Sequence, residues 1–492
     1  MKRIAKPKKS LNVMIPVSYE NLDLLFPEKV IADRVRAILQ LIFFTRLQMK
    51  QNDSFMAGIT YSTGYCGLLS DTIQTIAGNY YRKIINQMVE FGLIQVKKND
   101  DTGAESFFPG KWSKTYRIHP QYRNKSISKK KYRREKITHP DVIRAVKRHF
   151  DNQYARQLKL VESKGSCYAD VVKFGHQFCL DITSLEMDIQ AGKEFRDKKK
   201  ELIDESVLMG EATAINEDLI KYCTVDSFGF RLHTQLTSLR SCLRPYLRLK
   251  DQPEKKLIML DIKNSQPFFL SLLFFKSHVL NYINEFEPVR QILDGNRNER
   301  DVETYYDDCA AGEFYKKILV VIGEKEDAEN ELTEDEKKEL KELLFQHIFY
   351  SHPDNHNKDE RVKERRFQIE TRFGLVYKNV LANLKSLKRI KKEVLPFISE
   401  LNRKGKKRKI FTVPCAMANR LEVRLVYDFI GTTMFKMDTP VLTIHDAFIV
   451  SEESHAVLLM QILKQVFVDQ LKVKAPKVKI TELATGRELY IG

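Results

Sequence analysis

The sequence lacks a CxxC pair or any zinc-type cysteine spacing. Its seven cysteines, at 66, 167, 179, 223, 242, 309 and 415, are scattered, and seven cannot all pair with one another. They read as reduced thiols of a core. Long apolar runs are missing too: the longest, residues 267–275, has a serine inside it and falls well short of the ~18–20 residues that cross a bilayer. The basic opening MKRIAKPKKS leads into no apolar segment of the kind a secretory signal needs. These absences set the expectation of a cytoplasmic protein with no membrane partner.

What is present is length and positive charge. A chain of 492 residues is long for one core, and two or three units are the natural division. Hydrophobic residues make up 43% and charged ones 30%, the balance of a globular protein. Lys and Arg outnumber Asp and Glu by 83 to 65, a net charge of +18, which favours polyanions through phosphate contacts and counterion release. Charge alone names no reaction.

Residues 28–50 place Val30, Ile31, Val35, Ile38, Leu39, Ile42 and Phe43 at helical spacing. In SDTIQTIAGNYYRKIINQMVEFGLIQVKK, Ser70 or Asp71 caps a short helix, Gly78 and Asn79 turn the chain, and 80–91 form a second helix stopped by Gly92. A strand over 93–98, a polar loop and a returning strand over 115–119 complete a hairpin. This succession resembles winged-helix domains, in which the second helix enters the major groove. The resemblance points Asn79, Tyr80, Arg82 and Lys83 at DNA bases and Lys97, Lys98, Lys111 and Lys114 at phosphates; such a module also serves for docking proteins. Residues 124–136, NKSISKKKYRREK, read as a basic linker and 138–220 as a helical connector.

Chemistry concentrates further on. In KLIMLDIKNSQPFFLSLLFF an apolar strand over 257–260 ends on Asp261 and a helix begins near Pro267. An aspartate there suits either a helix cap or a metal ligand. In TPVLTIHDAFIVSEE two apolar strands flank His445 and Asp446, and an acid between such strands is costly unless it is paired or holds a metal. The helix in LTEDEKKELKELLFQHIFYS opens with a Thr333/Glu336 capping box. Its Lys337, Lys341, Phe345 and Phe349 recur every fourth residue, as a face for triphosphate and base or as the stripe of an ordinary amphipathic helix. A basic cluster at 404–409 precedes a helix with Arg420, Glu422 and Arg424, set either to track a template or to face solvent.

In that order and spacing, residues 225–490 resemble the right-handed polymerases that include family A DNA polymerases and phage-type single-subunit RNA polymerases. Asp261 with Gln266 resembles motif A, and DIKNSQP is similar to divergent polymerases of viruses and mobile elements. The Lys337, Lys341, Phe345, Phe349 stripe resembles the nucleotide-holding motif B helix, and His445-Asp446 resembles motif C. GFRLHTQLTSLRSCLR resembles the primer- and template-touching segment before motif A, nominating Arg231, His233 and Arg240. The sequence departs from the pattern in three places. Pro267 follows Gln266 where a sugar-selecting Glu is usual, Tyr350-Ser351 replaces Tyr-Gly, and Ala416-Met417 replaces the Gln-Gly expected after Pro414.

The resemblance implies an α+β, right-hand (palm, fingers, thumb) polymerase fold over 221–492, preceded by a winged-helix domain over 1–122 and a connector over 123–220. It implies a template-dependent nucleotidyltransferase of a phage, plasmid or mobile element, with DNA synthesis favoured. Asp261 and Asp446 would hold two Mg²⁺, or Mn²⁺ in their place, and the partners would be primer–template DNA and nucleoside triphosphates. His445, Arg82 and Lys83 join the nucleic-acid contacts. The 138–220 stretch is too short for a proofreading domain. The alternatives are a single-subunit RNA polymerase or primase, or a non-catalytic DNA-binding initiator with a degenerate palm. A metal-dependent nuclease also uses two carboxylates, but no HNH-like or clustered D…ExK pattern is present.

Overall fold

The computed structural model describes, a few single positions apart, residues 10–51, 65–98, 114–123, 132–162, 182–198, 205–216, 223–282, 299–322, 333–351, 359–390 and 412–490. It mixes helices and strands in two compact units. The first gathers residues 1–157, 179–223 and 234–254, and the second 158–178, 224–233 and 255–492. The chain thus passes between units several times, whereas the sequence reading expects single boundaries near 122 and 220.

The first unit opens with β1 (Leu11–Pro16), whose Leu11, Val13 and Ile15 alternate into the core. Helix α1 (Lys29–Gln51) buries Val35, Ile38, Leu39 and Ile42. Strand β2 (Cys66–Gly67) precedes α2 (Ser70–Ala77), a 3-10 turn from Gly78 at φ +70°, and α3 (Tyr81–Glu90). Gly92, at φ +63°, ends α3, and the Leu93 amide returns to the Met88 carbonyl at 2.8 Å. Strands β3 (Ile94–Val96) and β4 (Thr115–Ile118) complete an antiparallel sheet of order β2-β4-β3, with Ile94 opposite Ile118.

The basic 124–136 segment is not wholly a linker. Residues 124–131 lie outside the described residues, but Tyr132–Ile137 forms β5, paired antiparallel with β1 so that Leu11 faces Ile137. Apolar periodicity cannot reveal such a strand, because ion pairs rather than burial satisfy its charges. Glu135 accepts from Arg36 at 2.6 Å and from Arg133 at 2.7 Å. The connector is also not purely helical. After α4 (Pro140–Glu162) come β6 (Leu185–Met187), α5 (Ile189–Lys198) and α6 (Glu205–Asn216), and then the ribbon strands β7 (Cys223–Val225) and β8 (Leu232–Thr234). Strand β9 (Leu247–Leu249) pairs with β6.

In the second unit β10 (Ile258–Ile262) buries Ile258, Leu260 and Ile262 on one face and turns Asp261 to the other. Behind it α7 (Ser265–Phe275) is buried nearly throughout. Helices α8 (Arg300–Ala310), α9 (Phe314–Ile322), α10 (Glu334–Leu344), α11 (Glu360–Val376) and α12 (Lys378–Lys388) follow. Helix α13 (Val413–Val423) is buried at all of its positions and packs on α7. Strands β11 (Leu442–Ile444) and β12 (Ala447–Val450), α14 (Glu453–Lys464) and β13 (Val478–Glu482) close the unit. The sheet order is β11-β12-β10-β13, antiparallel throughout.

A buried ionic network holds the first unit. Asp33, fully buried, accepts the amides of Thr138 and His139 at 2.8 Å each and Arg36 Nη1 at 3.1 Å, while Arg36 also reaches Asp23 at 2.7 Å. Removing one partner strands a buried charge and two amides. Asp33→Ala is therefore expected to destabilise the first unit by about 3–5 kcal/mol, lowering its urea midpoint, with Asp33→Asn losing less.

Candidate active site

The site is built on the central strands of the four-stranded sheet. Asp261 on β10 is registered opposite Ala447, the residue after Asp446, so the two acids come from the end of one strand and the turn beside it. That turn has two residues, His445 and Asp446, between the paired Ile444 and Ala447. His445 sits at φ +56°, a conformation that tight hairpins require and that glycine normally fills. A non-glycine there costs on the order of 1 kcal/mol and is often found where a side chain must be aimed.

Arg231, just ahead of β8, and His233, within it, approach this tip, the first through the charge of Asp446 and the second through its ring contact with His445. The Arg231 guanidinium grips Glu422 with Nε at 2.9 Å and Nη2 at 2.6 Å, and Ser265 Oγ donates to the same carboxylate at 3.1 Å. Glu422 is completely buried. Burial raises its carboxyl above the ordinary glutamate value against the pull of Arg231, and the charge of Asp446 pushes the same way. Burial works against the Arg231 cation, but Glu422 and then Asp446 outweigh it and its pKa goes up. The ring of His233 meets that of His445 edge-on, with centroids 5.8 Å apart, and its Nε2 lies 3.0 Å from Asp226 Oδ2.

The turn that carries these residues is stapled to α13. Asp226 Oδ1 accepts the amides of Phe228 and Gly229 at 2.7 Å each, and Arg420 donates Nε to the Phe228 carbonyl at 3.1 Å. The Arg420 guanidinium lies 4.2 Å from the centre of the Phe230 ring. The expected alternatives for α13, a template-tracking face or a solvated one, both give way. Arg420 and Glu422 are buried and spent on this turn, and Arg424 lies over the Phe429 ring at 5.3 Å.

The α10 stripe is re-phased. After Leu344 the helix continues as a π-helix over Phe345–Phe349, and the Tyr350 amide bonds five residues back to the Phe345 carbonyl at 2.8 Å. The extra residue turns Phe349 into the core, while Tyr350 lies beside Phe345 with rings 5.6 Å apart. Tyr350 accepts from Gln266 Nε2 at 3.1 Å. Lys341 is exposed, with its ammonium 5.4 Å from the Tyr315 ring; burial first, and more weakly Asp446, raise the Tyr315 phenol. The Lys337 side chain, Lys111 and the 404–409 cluster lie outside the described residues.

Asp261, Asp446, His445, Arg231, His233, Gln266, Lys341 and Phe345 thus fall in one unit. Arg240 does not: it belongs to the first unit, where its backbone amide and Nε hold the buried Glu211 at 2.9 and 3.0 Å. On the first unit Arg82, Lys83, Lys97 and Lys98 are exposed and Tyr80 is 65% exposed. The pattern of the sequence does not single out Asp226, Ser265 or Tyr315, and it marks Tyr350 only as part of a departure from the motif B ending. Asp226 carried a signal, since an Asp three residues before a Gly marks an Asx turn.

Asp261 and Asp446 are half-exposed and offer oxygen donors of the type that Mg²⁺ and Mn²⁺ take. Among the described residues no group of three or more His, Cys, Asp or Glu side chains is arranged to hold a metal. Mg²⁺ sites commonly use one or two carboxylates and draw their remaining ligands from water and substrate phosphates, so the pair fits such an ion.

No family model matches the chain, and no curated protein matches it. Among solved structures it is similar to the POL domain of Pol1 from M. smegmatis, a complex with DNA primer-template and dNTP, at 11% identity and a TM-score of 0.35. The match covers 58% of this chain and 51% of that one, so the chain spans about half the length of the structure it matches.

Two outcomes follow from the geometry. A Cβ on Gly229 would lie 2.5 Å from the Asn419 Cβ, so Gly229→Ala must push the turn off α13. It is expected to cost about 1–3 kcal/mol, read as a lowered melting temperature. Below the stripe, the buried Lys388 donates to the Ile348 carbonyl and, at 3.1 Å, to Ser351 Oγ, and burial lowers its pKa to about 8 from 10.5. Between those values the unfolded chain holds a proton that the folded one has released, so stability rises with pH. Urea midpoints are expected to rise between pH 8 and 9.5, and to lose that rise in Lys388→Met.

Proposed function

We propose that this chain is a template-dependent nucleotidyltransferase, a DNA polymerase in preference to an RNA polymerase, of a phage, plasmid or mobile element. The observation that carries the reading is the placement of Asp261 on β10 next to the β11–β12 turn that holds Asp446, with the Arg231–Glu422 pair beside them. Under this reading the four-stranded sheet is a palm, α10 with its π-helical end belongs to the fingers, and the β2-β4-β3 sheet with α2 and α3 is a winged helix that grips DNA.

Asp261 and Asp446 would hold two divalent ions, which when bound supply charge stabilisation and a template for in-line phosphoryl transfer. The chain's own contribution is positioning and charge. Lys341 neutralises the triphosphate from the exposed side of α10. Phe345 offers a ring to the base, and the Gln266–Tyr350 hydrogen bond fixes the floor beneath the sugar. Arg231, already oriented by Glu422, presents a guanidinium of fixed direction beside Asp446, so little side-chain entropy remains to be lost on binding. Exposed Tyr80, in the turn ahead of α3, and Arg82 and Lys83 on α3 meet the duplex.

The test is extension of a labelled primer–template with Mg²⁺ and separate dNTP and rNTP pools. Extension is expected with dNTPs, and Asp446→Ala or Asp261→Ala is expected to reduce it by at least about 10³-fold. Asp446→Ala should change the melting temperature little, because it removes both a like charge near Glu422 and an attraction to Arg231. No extension in either pool, with tight DNA binding retained, would instead identify a non-catalytic initiator.

A further inference from the structure

Beside the acid pair stands an arrangement that neither metal binding nor nucleotide binding uses. Asp226 is locked: Oδ1 accepts two backbone amides at 2.7 Å and Oδ2 faces His233 Nε2 at 3.0 Å. Burial pushes its pKa up, but the hydrogen bonds from His233 and from the Gly229 and Phe228 amides prevail and hold it below the ordinary Asp value. In the neutral ring, a hydrogen bond donated from Nε2 to that carboxylate leaves Nδ1 as the acceptor. The His233 side chain is 41% exposed, and its ring abuts His445, the neighbour of Asp446. A partly exposed imidazole with one nitrogen held by a carboxylate is the arrangement of a general base with its orienting group.

The other groups around the tip do not fill that role. Arg231 cannot accept a proton, and both of its paired contacts go to Glu422. Glu422 is enclosed by Arg231 and Ser265 without access to solvent. Lys341 lies against Tyr315 from the direction of α10.

Resting on the polymerase reading, we propose that Asp226 and His233 form a proton-accepting dyad in which His233 is the catalytic base for the primer terminus. As O3′ attacks the α-phosphorus, the O3′–H bond breaks and its proton passes to His233 Nδ1. The O3′–P bond forms, and the bond from that phosphorus to the bridging oxygen breaks, its electron pair leaving on pyrophosphate. Asp226 stabilises the imidazolium, which returns its proton to water before the next addition. Asp226 acts only through His233 and is a positioning residue.

Single-turnover nucleotide incorporation by the full chain tests this, using His233→Gly with and without added imidazole. The substitution is expected to slow incorporation by about 10²–10⁴-fold while primer–template affinity stays unchanged. Imidazole should restore the rate, and a series of substituted imidazoles should restore it in order of their basicity. Asp226→Asn should also slow the step, and imidazole should not rescue it. If the glycine variant unfolds, His233→Gln carries the test: a lower kcat at unchanged primer KM supports the dyad, and a raised KM alone overturns it. Absence of imidazole rescue, or a loss recovered at higher primer concentration, overturns the dyad and makes His233 a nucleic-acid contact only. Failure of the unaltered chain to extend any primer overturns the polymerase reading and the dyad with it; extension indifferent to His233 overturns the dyad alone.

Discussion

The site depends on one buried ion pair. Glu422 has no solvent exposure, and a carboxylate so placed must be compensated by a well-oriented cation and by further donors; Arg231 supplies two nitrogens and Ser265 a hydroxyl. Each of these comes from a different stretch of chain, the 226–231 turn, the start of α7 and the C-terminal end of α13, so one carboxylate fixes three elements relative to one another. The pair has little freedom to slide, because Arg420 and Asn419 on the same helix hold the turn at Phe228, Gly229 and Phe230. Phe230 accepts φ +58° to make that turn, and the cation over its ring offsets part of the cost. Such a pair contributes little net stability against a hydrophobic alternative, so its value lies in the geometry it imposes.

That geometry decides what stands around the acids. The chain entering β8 brings Arg231 and His233 to the tip, and the hairpin answers with Asp446 and His445. The result is a tip where charge and ring contact occur together: Asp446 acts on Arg231 and Glu422 through its charge, and His445 touches His233 through its ring. Both the Arg231 turn and the hairpin use a non-glycine residue at positive φ, Phe230 and His445. Strain of this kind persists where neighbouring contacts over-determine the backbone, and here those contacts are an ion pair on one side and two strands of a closed antiparallel ladder on the other.

Legibility in the sequence followed the reach of each signal. The strands around Asp261 and Asp446 were readable because unbroken apolar β-formers flank a lone acid, and the α10 capping box because it is written within four residues, with Thr333 Oγ1 accepting the Glu336 amide at 3.3 Å. Gly78 and Gly92 announce their turns directly. What stayed hidden is long-range. Nothing in GFRLHTQ says that Arg231 will meet Glu422, 191 residues away, or that Arg240 will serve Glu211 in the other unit. Strand β5 hid because its Glu135 is satisfied by Arg36 and by its own Arg133 rather than by water alone. The helix carrying Arg420 and Glu422 was misread for the same reason: charged residues suggest a solvated face until their partners are known.

The π-helical end of α10 shows how a single local irregularity changes which side chains share a face. Spacing by four gives Phe345 and Phe349 as a pair, and in an unbroken α-helix both would share a face with Lys341. One added residue in the turn advances the face by one position, so Phe349 joins Phe314 in the core while its ring stays 5.5 Å from that of Phe345, and Tyr350 comes up beside Phe345 as well, at 5.6 Å. A phenol joins the phenyl at the half-buried end of the stripe, and a phenol can be hydrogen-bonded, as it is by Gln266 from the α7 side. The same turn leaves the Ile348 carbonyl to be satisfied from outside the helix, which Lys388 does. A buried lysine is an expensive donor, and its presence under this turn follows from the polar groups that the irregular helix end exposes to the core. The face offered to a ligand and the cation buried behind it thus share one cause, the extra residue in the turn.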